Sequence, residues 1–227
     1  MTLFLRRSSI RIGHLAIGSL WVLSTLLPAQ ASTLLAAKGQ VQIERNQKIV
    51  LASIGSVLRE ADTLMVEPDG EALVQFRDGA KILLRSNSRV NFEQLVQAGE
   101  FKNRKKTLKI LKGGMRYVSA KVARQSNVVF VTRNVSVGIR GTDIEIVVAE
   151  DSQAGNPPGT YLKVNTGQAV LVGQDGTRVE VEPGQVAFGS EPELTPRGAV
   201  GVRRPAARRI ESASPGVFRS GALDSLL

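Results

Sequence analysis

The chain has 227 residues, with 30 Lys and Arg against 20 Asp and Glu, one His and no Cys, for a formal charge of +10 at pH 7. That composition excludes a disulfide framework and thiolate chemistry, and it leaves His14 as the one imidazole for any Ser-His-Asp system or zinc site. Neither a Ser-x-x-Lys pair, which could replace histidine in a nucleophile system, nor the acidic loop of an EF-hand occurs in the sequence.

Residues 1–31 carry the three parts of a secretory signal peptide: Arg6, Arg7 and Arg11, an apolar run over 15–27, and the small-x-small site Ala29-Gln30-Ala31. Cleavage after Ala31 is expected. The alternative is a retained membrane anchor, for which the span is short and interrupted by Gly, Ser and Pro. Cleavage would remove His14 and the only Trp, Trp21, and leave 196 residues of formal charge +7. That length suits one domain with tails or two small ones, closed by hydrophobic burial alone.

From 32 to 189 the chain reads as strand after strand. Residues 34–43 end in the alternation Val41, Ile43. KIVLASIGSVL follows at 48–58. Ala72, Val74 and Phe76 then share one face, and Ala80, Ile82 and Leu84 share the next, with Asp78-Gly79 between them. This dipeptide suits a two-residue turn and predicts a hairpin with arms at 71–77 and 80–85. Asp69-Gly70 and Asp175-Gly176 mark further turns. Helical spacing is found once, over 90–99, where Phe92, Leu95 and Val96 would share a face. Short strands punctuated by Gly and Asp-Gly predict an all-β fold, an antiparallel β-sandwich of jelly-roll-like form. Residues 150–160 read as an exposed loop, and 190–227, with six Arg among scattered Pro, Gly and Ser, as a disordered tail.

The stretch 101–124 holds nine Lys or Arg and no acidic residue. One reading is a patch for an anionic ligand, formed by Lys102, Arg104, Lys105, Lys106 and Lys109. The other is a solvated strand face, because Leu108 and Ile110 alternate with Lys109 and Lys112 as a half-buried strand requires. Nucleic acid is disfavoured, since few aromatic residues are interleaved for base stacking.

The stretch 135–148, VSVGIRGTDIEIVV, holds two alternating apolar runs, Val135-Val137-Ile139 and Ile144-Ile146-Val148. Ile139 and Ile144 are an odd number of residues apart, so an uninterrupted strand would turn one run away from the core. A bulge, bend or turn at 140–143 is therefore required, with Gly141 at positive φ, Asp143 hydrogen-bonding the exposed backbone and Arg140 close enough to pair with it. Gly138-Ile139-Arg140-Gly141 matches the Gly-x-x-Gly of a KH loop only literally, because KH places that loop between helices. Asp143 and Glu145 fall on one side of the strand, about 7 Å apart. Two exposed carboxylates in such a place are ordinarily solvated rather than catalytic.

VSVGIRGTDIEI resembles the signature of the FecR domain family. GQVQI at 39–43, the stretch 53–90 and LKILKGGMRYV at 108–118 precede it in the family's order, so the resemblance covers about 35–148 and continues more weakly through 161–188. It implies an all-β extracytoplasmic domain without enzymatic activity. In the best-known members that domain senses an outer-membrane transporter and signals to a cytoplasmic sigma factor. Here about eleven residues precede the apolar stretch, where such a transducer carries some tens, so anti-sigma activity is not expected; nor is the transporter contact, because an Arg-rich tail replaces the C-terminal part that makes it.

The expectation is a non-enzymatic binding module of the bacterial cell envelope, linked to signal sensing and needing no cofactor or metal. Its partner would be an envelope protein or an anionic glycan, with no nucleic acid and no membrane span after signal cleavage. Two alternatives are a membrane-anchored accessory of a FecR-type system and a binder of anionic surface polymers. Gly138, Arg140, Gly141, Thr142 and Asp143 are read as structural members of the signature.

Overall fold

The structure, a computed structural model, describes residues 32–96, 105–120, 127–152, 156–191, 205–211 and 217–227. The expected signal peptide, Lys102 and Arg104 lie outside them. Among the described residues fifteen strands form one hydrogen-bonded sheet that does not close into a barrel, together with a 3-10 turn at Asp224–Leu226. The all-β expectation holds. The sheet is mixed, because β10 (Asn127–Val131) runs parallel to β9 (Lys105–Val118) while the other pairings are antiparallel.

Three long strands organise it: β9, β11 (Val135–Ala149) and β12 (Gly159–Gly173). Each changes neighbours part-way. The first half of β9 pairs with β8 (Arg89–Val96) and β10, the second with β7 (Lys81–Leu84) and β11. β11 passes from β10 to β9, and β12 from β14 (Val186–Gly189) to β13 (Arg178–Val181).

At each change a glycine has positive φ: Gly113 at 83°, Gly141 at 59° and Gly167 at 82°. Each corner also has the same core spacing, since Ile110 and Met115, Ile139 and Ile144, and Val164 and Ala169 all face the core across an odd interval. In β11 and β12 the mechanism is visible in the register. Arg140 pairs with Gln168 and Asp143 with Thr166, so Gly141 and Thr142 stand opposite Gly167 alone. That is a β-bulge, and the extra residue returns both runs to one face. The bend expected at 140–143 is therefore present, and β12 has its counterpart at Gly167.

The corners let strands that share no hydrogen bonds pack across a common core. Phe76, on β6 (Glu71–Phe76), lies 6.1 Å from the ring of Phe92 on β8 and 6.1 Å from Tyr117 on β9. Tyr117 meets Phe130 edge-on at 5.2 Å. Burying such rings stabilises by roughly 1.5–3 kcal/mol each, and favourable ring geometry adds to that.

Three expectations change. The candidate helix over 90–99 is strand β8 as far as Val96, and the rest lies outside the described residues. Phe92 pairs with Leu108 and Gln94 with Thr107, so Glu93 is an extra residue, and this bulge produces the helix-like spacing of buried Phe92 and Leu95. The hairpin of β6 and β7 forms, but its loop has three residues, Arg77-Asp78-Gly79. Phe76 N–H donates to Ala80 O at 2.8 Å and Gly79 N–H to Phe76 O at 2.9 Å, with Gly79 at φ 86°. A type I turn followed by a left-handed glycine matches the strand twist as well as a two-residue turn does. The tail, finally, is structured in part. β15 (Ala207–Ile210) adds to the sheet beside β14, and residues 217–227 lie against β6, β7 and β9.

A candidate peptide-binding face at the signature corner

Along β9, β11 and β12 the core side is apolar, so the alternate residues meet on the outer face. Arg116 on β9 faces β11, where Asp143 follows the Gly141 corner. Its Nε donates to Asp143 Oδ1 at 2.9 Å and its Nη2 to Oδ2 at 2.6 Å, a bidentate pair. Asn165 Nδ2 bridges Asp143 Oδ1 at 3.2 Å and Glu145 Oε1 at 3.1 Å, and Lys163 Nζ donates to Glu145 Oε1 at 3.1 Å. The hydrogen bond to Asp143, working against burial and helped by the charges of Asp143 and Glu145, raises the pKa of Arg116. Every carboxylate of this group is met by a cation or an amide, an arrangement that holds three strands in register.

The signature residues separate accordingly. Arg140 is exposed and does not make the expected pair with Asp143, which goes to Arg116 instead. The bulge carries Asp143 onto the face of β9, and the backbone of the corner is served by Ser119. Its Oγ accepts from Thr142 N–H at 3.1 Å, and its N–H donates to Thr142 O at 2.9 Å. Thr142 is buried, and its Oγ1 finds no hydrogen-bond partner among the described residues. A Cβ on Gly138 would meet nothing within 4 Å, whereas one on Gly167 would overlap the Gly141 carbonyl oxygen.

The basic run separates too. Lys105 and Lys109 are exposed on β9. Lys106 is 1% exposed and belongs to the core side: its Nζ pairs with Asp78 in the β6–β7 loop and sits 4.5 Å from the Phe76 ring centre. It is therefore not part of an exposed anionic-ligand patch. Parity gives the reason, because Lys106 shares its face with Leu108 and Ile110.

Residues 217–227 lie across the outer face of β6, β7 and β9, an arrangement that tail composition did not suggest. Glu71 accepts the backbone N–H groups of Ala222 and Leu223 at 3.0 and 2.8 Å. Arg85 grips both oxygens of Asp224 at 2.6 and 2.7 Å, Arg116 reaches the same carboxylate at 3.4 Å, and Lys81 Nζ donates to Leu226 O at 2.5 Å. Burial alone would raise the pKa of Asp224, but Arg85, the Gly221 N–H and Arg116 together hold it below the ordinary value. A Cβ on Gly221 would collide with Glu71 Oε1, so a side chain there would displace the carboxylate that holds the segment. Leu73 and Leu83, 1% and 0% exposed, stand outside the core cluster on the face the segment crosses. Beside it opens a cleft of about 520 Å³, lined by both signs of charge, Arg85 and Lys112 against Glu145 and Asp151, and by the ring of Phe218.

The motifs that meet here, with Arg116 in LKGGMRYV and Asp143 in GIRGTDIEI, are those that carried the resemblance. A family model described as FecR protein matches residues 62–187. The chain belongs to the FecR family. In the family context FecR domains are extracytoplasmic parts of signal-transduction systems. No curated protein matches the chain. Two crystal structures of a candidate anti-sigma factor from Parabacteroides distasonis ATCC 8503, at 1.65 and 2.50 Å resolution, are similar to it. They share 11% and 12% identity with TM-scores of 0.46 and 0.45, each over 56% of this chain and 54% of that one. The match spans about half the length of that protein. Among the described residues no helix is long and apolar enough to cross a membrane.

Proposed function

We propose that this FecR chain is a non-enzymatic binding module of the bacterial cell envelope, exported by residues 1–31 and engaging an envelope protein within a signal-sensing system. The observation that carries the proposal is the outer face of β6, β7 and β9, which holds a polypeptide segment through a carboxylate, two guanidiniums and an apolar floor. Groups arranged in that way recognise backbone and charge, as peptide-recognition surfaces do. The carboxylates on this face are engaged in ion pairs and hydrogen bonds, which suits recognition better than proton transfer.

The test has two arms. N-terminal sequencing of the exported protein should begin at Ser32; an intact Met1 would favour the membrane-anchored accessory instead. Immobilised full chain, incubated with envelope fractions at low salt, should retain an envelope protein. Retention of neither protein nor glycan would end the proposal.

A second reading rests on exposed Lys105 and Lys109, which remain available to an anionic surface polymer. Attraction between exposed charges is screened over roughly 8–10 Å near physiological ionic strength. Binding of purified lipopolysaccharide by this route should therefore weaken steeply between 50 and 300 mM NaCl, as isothermal titration would show, and salt-insensitive binding would count against it.

A further inference from the structure

The face that holds residues 217–227 has the features of a receptor site for a separate peptide. Its contacts are of the directional, charge-assisted kind: a bidentate Arg85 on the Asp224 carboxylate, a second arginine behind it, and Glu71 accepting two successive amide N–H groups. The bound stretch Gly221-Ala222-Leu223-Asp224 is closed on itself by Gly221 N–H donating to Asp224 Oδ2 at 2.5 Å, so the receptor meets a compact turn. Glu71 and Arg116 lie on β6 and β9 and Arg85 directly follows β7, whereas the turn belongs to a segment more than a hundred residues distant in sequence from each.

We propose that this face is a peptide-binding site for an acidic Gly-x-x-Asp turn, filled in cis by residues 217–227 and open to the same kind of turn offered in trans. Charge complementarity selects the ligand. Arg85 and Arg116 converge on one carboxylate, and Glu71 rejects a second acidic group while requiring unsubstituted amides. Leu73 and Leu83 supply an apolar floor that release of the segment would expose, so the empty site gains by being refilled. A tethered ligand of this kind competes at an effective concentration on the order of mM. Against a trans peptide that binds at on the order of 100 μM, cis occupancy weakens apparent affinity by about tenfold. The inference depends only on the surface of the domain and stands or falls separately from export and from an envelope partner.

The experiment uses full-length chains and a fluorescein-labelled peptide of residues 217–227, VFRSGALDSLL, followed by fluorescence polarisation. The double variant Gly221→Val, Asp224→Asn loses the glycine contact and the carboxylate, and so releases its own segment. It should bind the peptide at least about tenfold more tightly than the wild-type chain. The same peptide with Asp224→Asn should bind the double variant at least about tenfold more weakly, because the charge-assisted bidentate pair is lost. Adding Arg85→Gln to the double variant should abolish binding. A folded double variant that binds no better than wild type, or that binds both peptides equally, overturns the proposal. If the double variant fails to fold, Asp224→Asn alone is titrated in its place against the same two outcomes.

Discussion

If the glycines at 141 and 167 make the signature corner, substitution at Gly167 should destabilise the protein while substitution at Gly138, inside the same signature, should not. At Gly167 two costs combine. The backbone stands at φ 82°, where a Cβ costs roughly 1–2 kcal/mol. The added Cβ would overlap the Gly141 carbonyl oxygen and lie 2.8 Å from Thr142 Cγ2, so the bulge must open, at about 1–3 kcal/mol for overpacking. Gly167→Ala should therefore cost about 2–5 kcal/mol, lowering the melting temperature by about 4 °C or more. Gly138 lies in regular strand with open space around its Cβ position, and alanine there reduces chain entropy in the unfolded state. Gly138→Ala should be neutral or stabilise by up to about 1 kcal/mol. Urea unfolding of both variants at unchanged m-value is the assay. Equal losses for the two, or a larger loss at Gly138, would refute the corner as the reason for these glycines.

Three further predictions concern polar groups, two in the core and one on the outer face. Thr142→Val should leave stability unchanged or raise it by about 1 kcal/mol in urea unfolding, because the buried Oγ1 has no partner among the described residues to lose; a loss above that size would mean the hydroxyl is bonded. Asp78→Ala leaves the ammonium of Lys106 buried beside Phe76 and Tyr117, and should cost about 3–5 kcal/mol. Adding Lys106→Met should recover much of that loss, and a double variant no more stable than the single would contradict the burial of the pair. The pKa of Asp224 is lowered in the folded state from an ordinary value of 3.8, so its stabilisation is complete above that pH and lost as pH falls through the folded value. The amide resonances of Ala222 and Leu223 should therefore begin to move toward free-peptide positions only as pH falls below about 3.8, ahead of global unfolding; release of the segment at neutral pH would contradict the assignment.

Much of the fold was legible because period-two alternation and turn chemistry act locally. The β6–β7 hairpin and the corner in β11 both follow from parity and glycine, with no tertiary information. The same parity argument carried further along the chain reaches Gly113, between Ile110 and Met115, and Gly167, between Val164 and Ala169. It also places Lys106 with Leu108 and Ile110, a signal that the count of positive charges obscured. The helix-like spacing at Phe92 and Leu95 misled because one bulged residue converts a strand's interval of two into three, and only the β9 partner shows which residue is extra. Partner choice was likewise out of reach. Arg140 is only three residues from Asp143 in sequence, but the bulge turns Asp143 toward Arg116, two strands of chain away. The docking of residues 217–227 was hidden for a related reason, since composition reports the average character of a tail and one Gly-x-x-Asp turn is too short to shift that average.

These assignments divide the molecule in a way that bears on how it acts. Residues that identify the family, Gly141, Asp143 and Arg116 among them, are spent on a bend and on the ion pair that ties its strands together. Glu71, Arg85 and Arg116 fall within the FecR match at 62–187, while residues 217–227 lie beyond it. The family domain thus supplies the receptor face, and this chain supplies its own occupant from outside the matched segment. Because Arg116 serves both Asp143 and Asp224, the corner and the bound segment share one guanidinium. Release of the segment removes one of the two carboxylates hydrogen-bonded to Arg116 and leaves the bidentate pair with Asp143. The outer face and the bend that defines the fold therefore meet at a single side chain, Arg116.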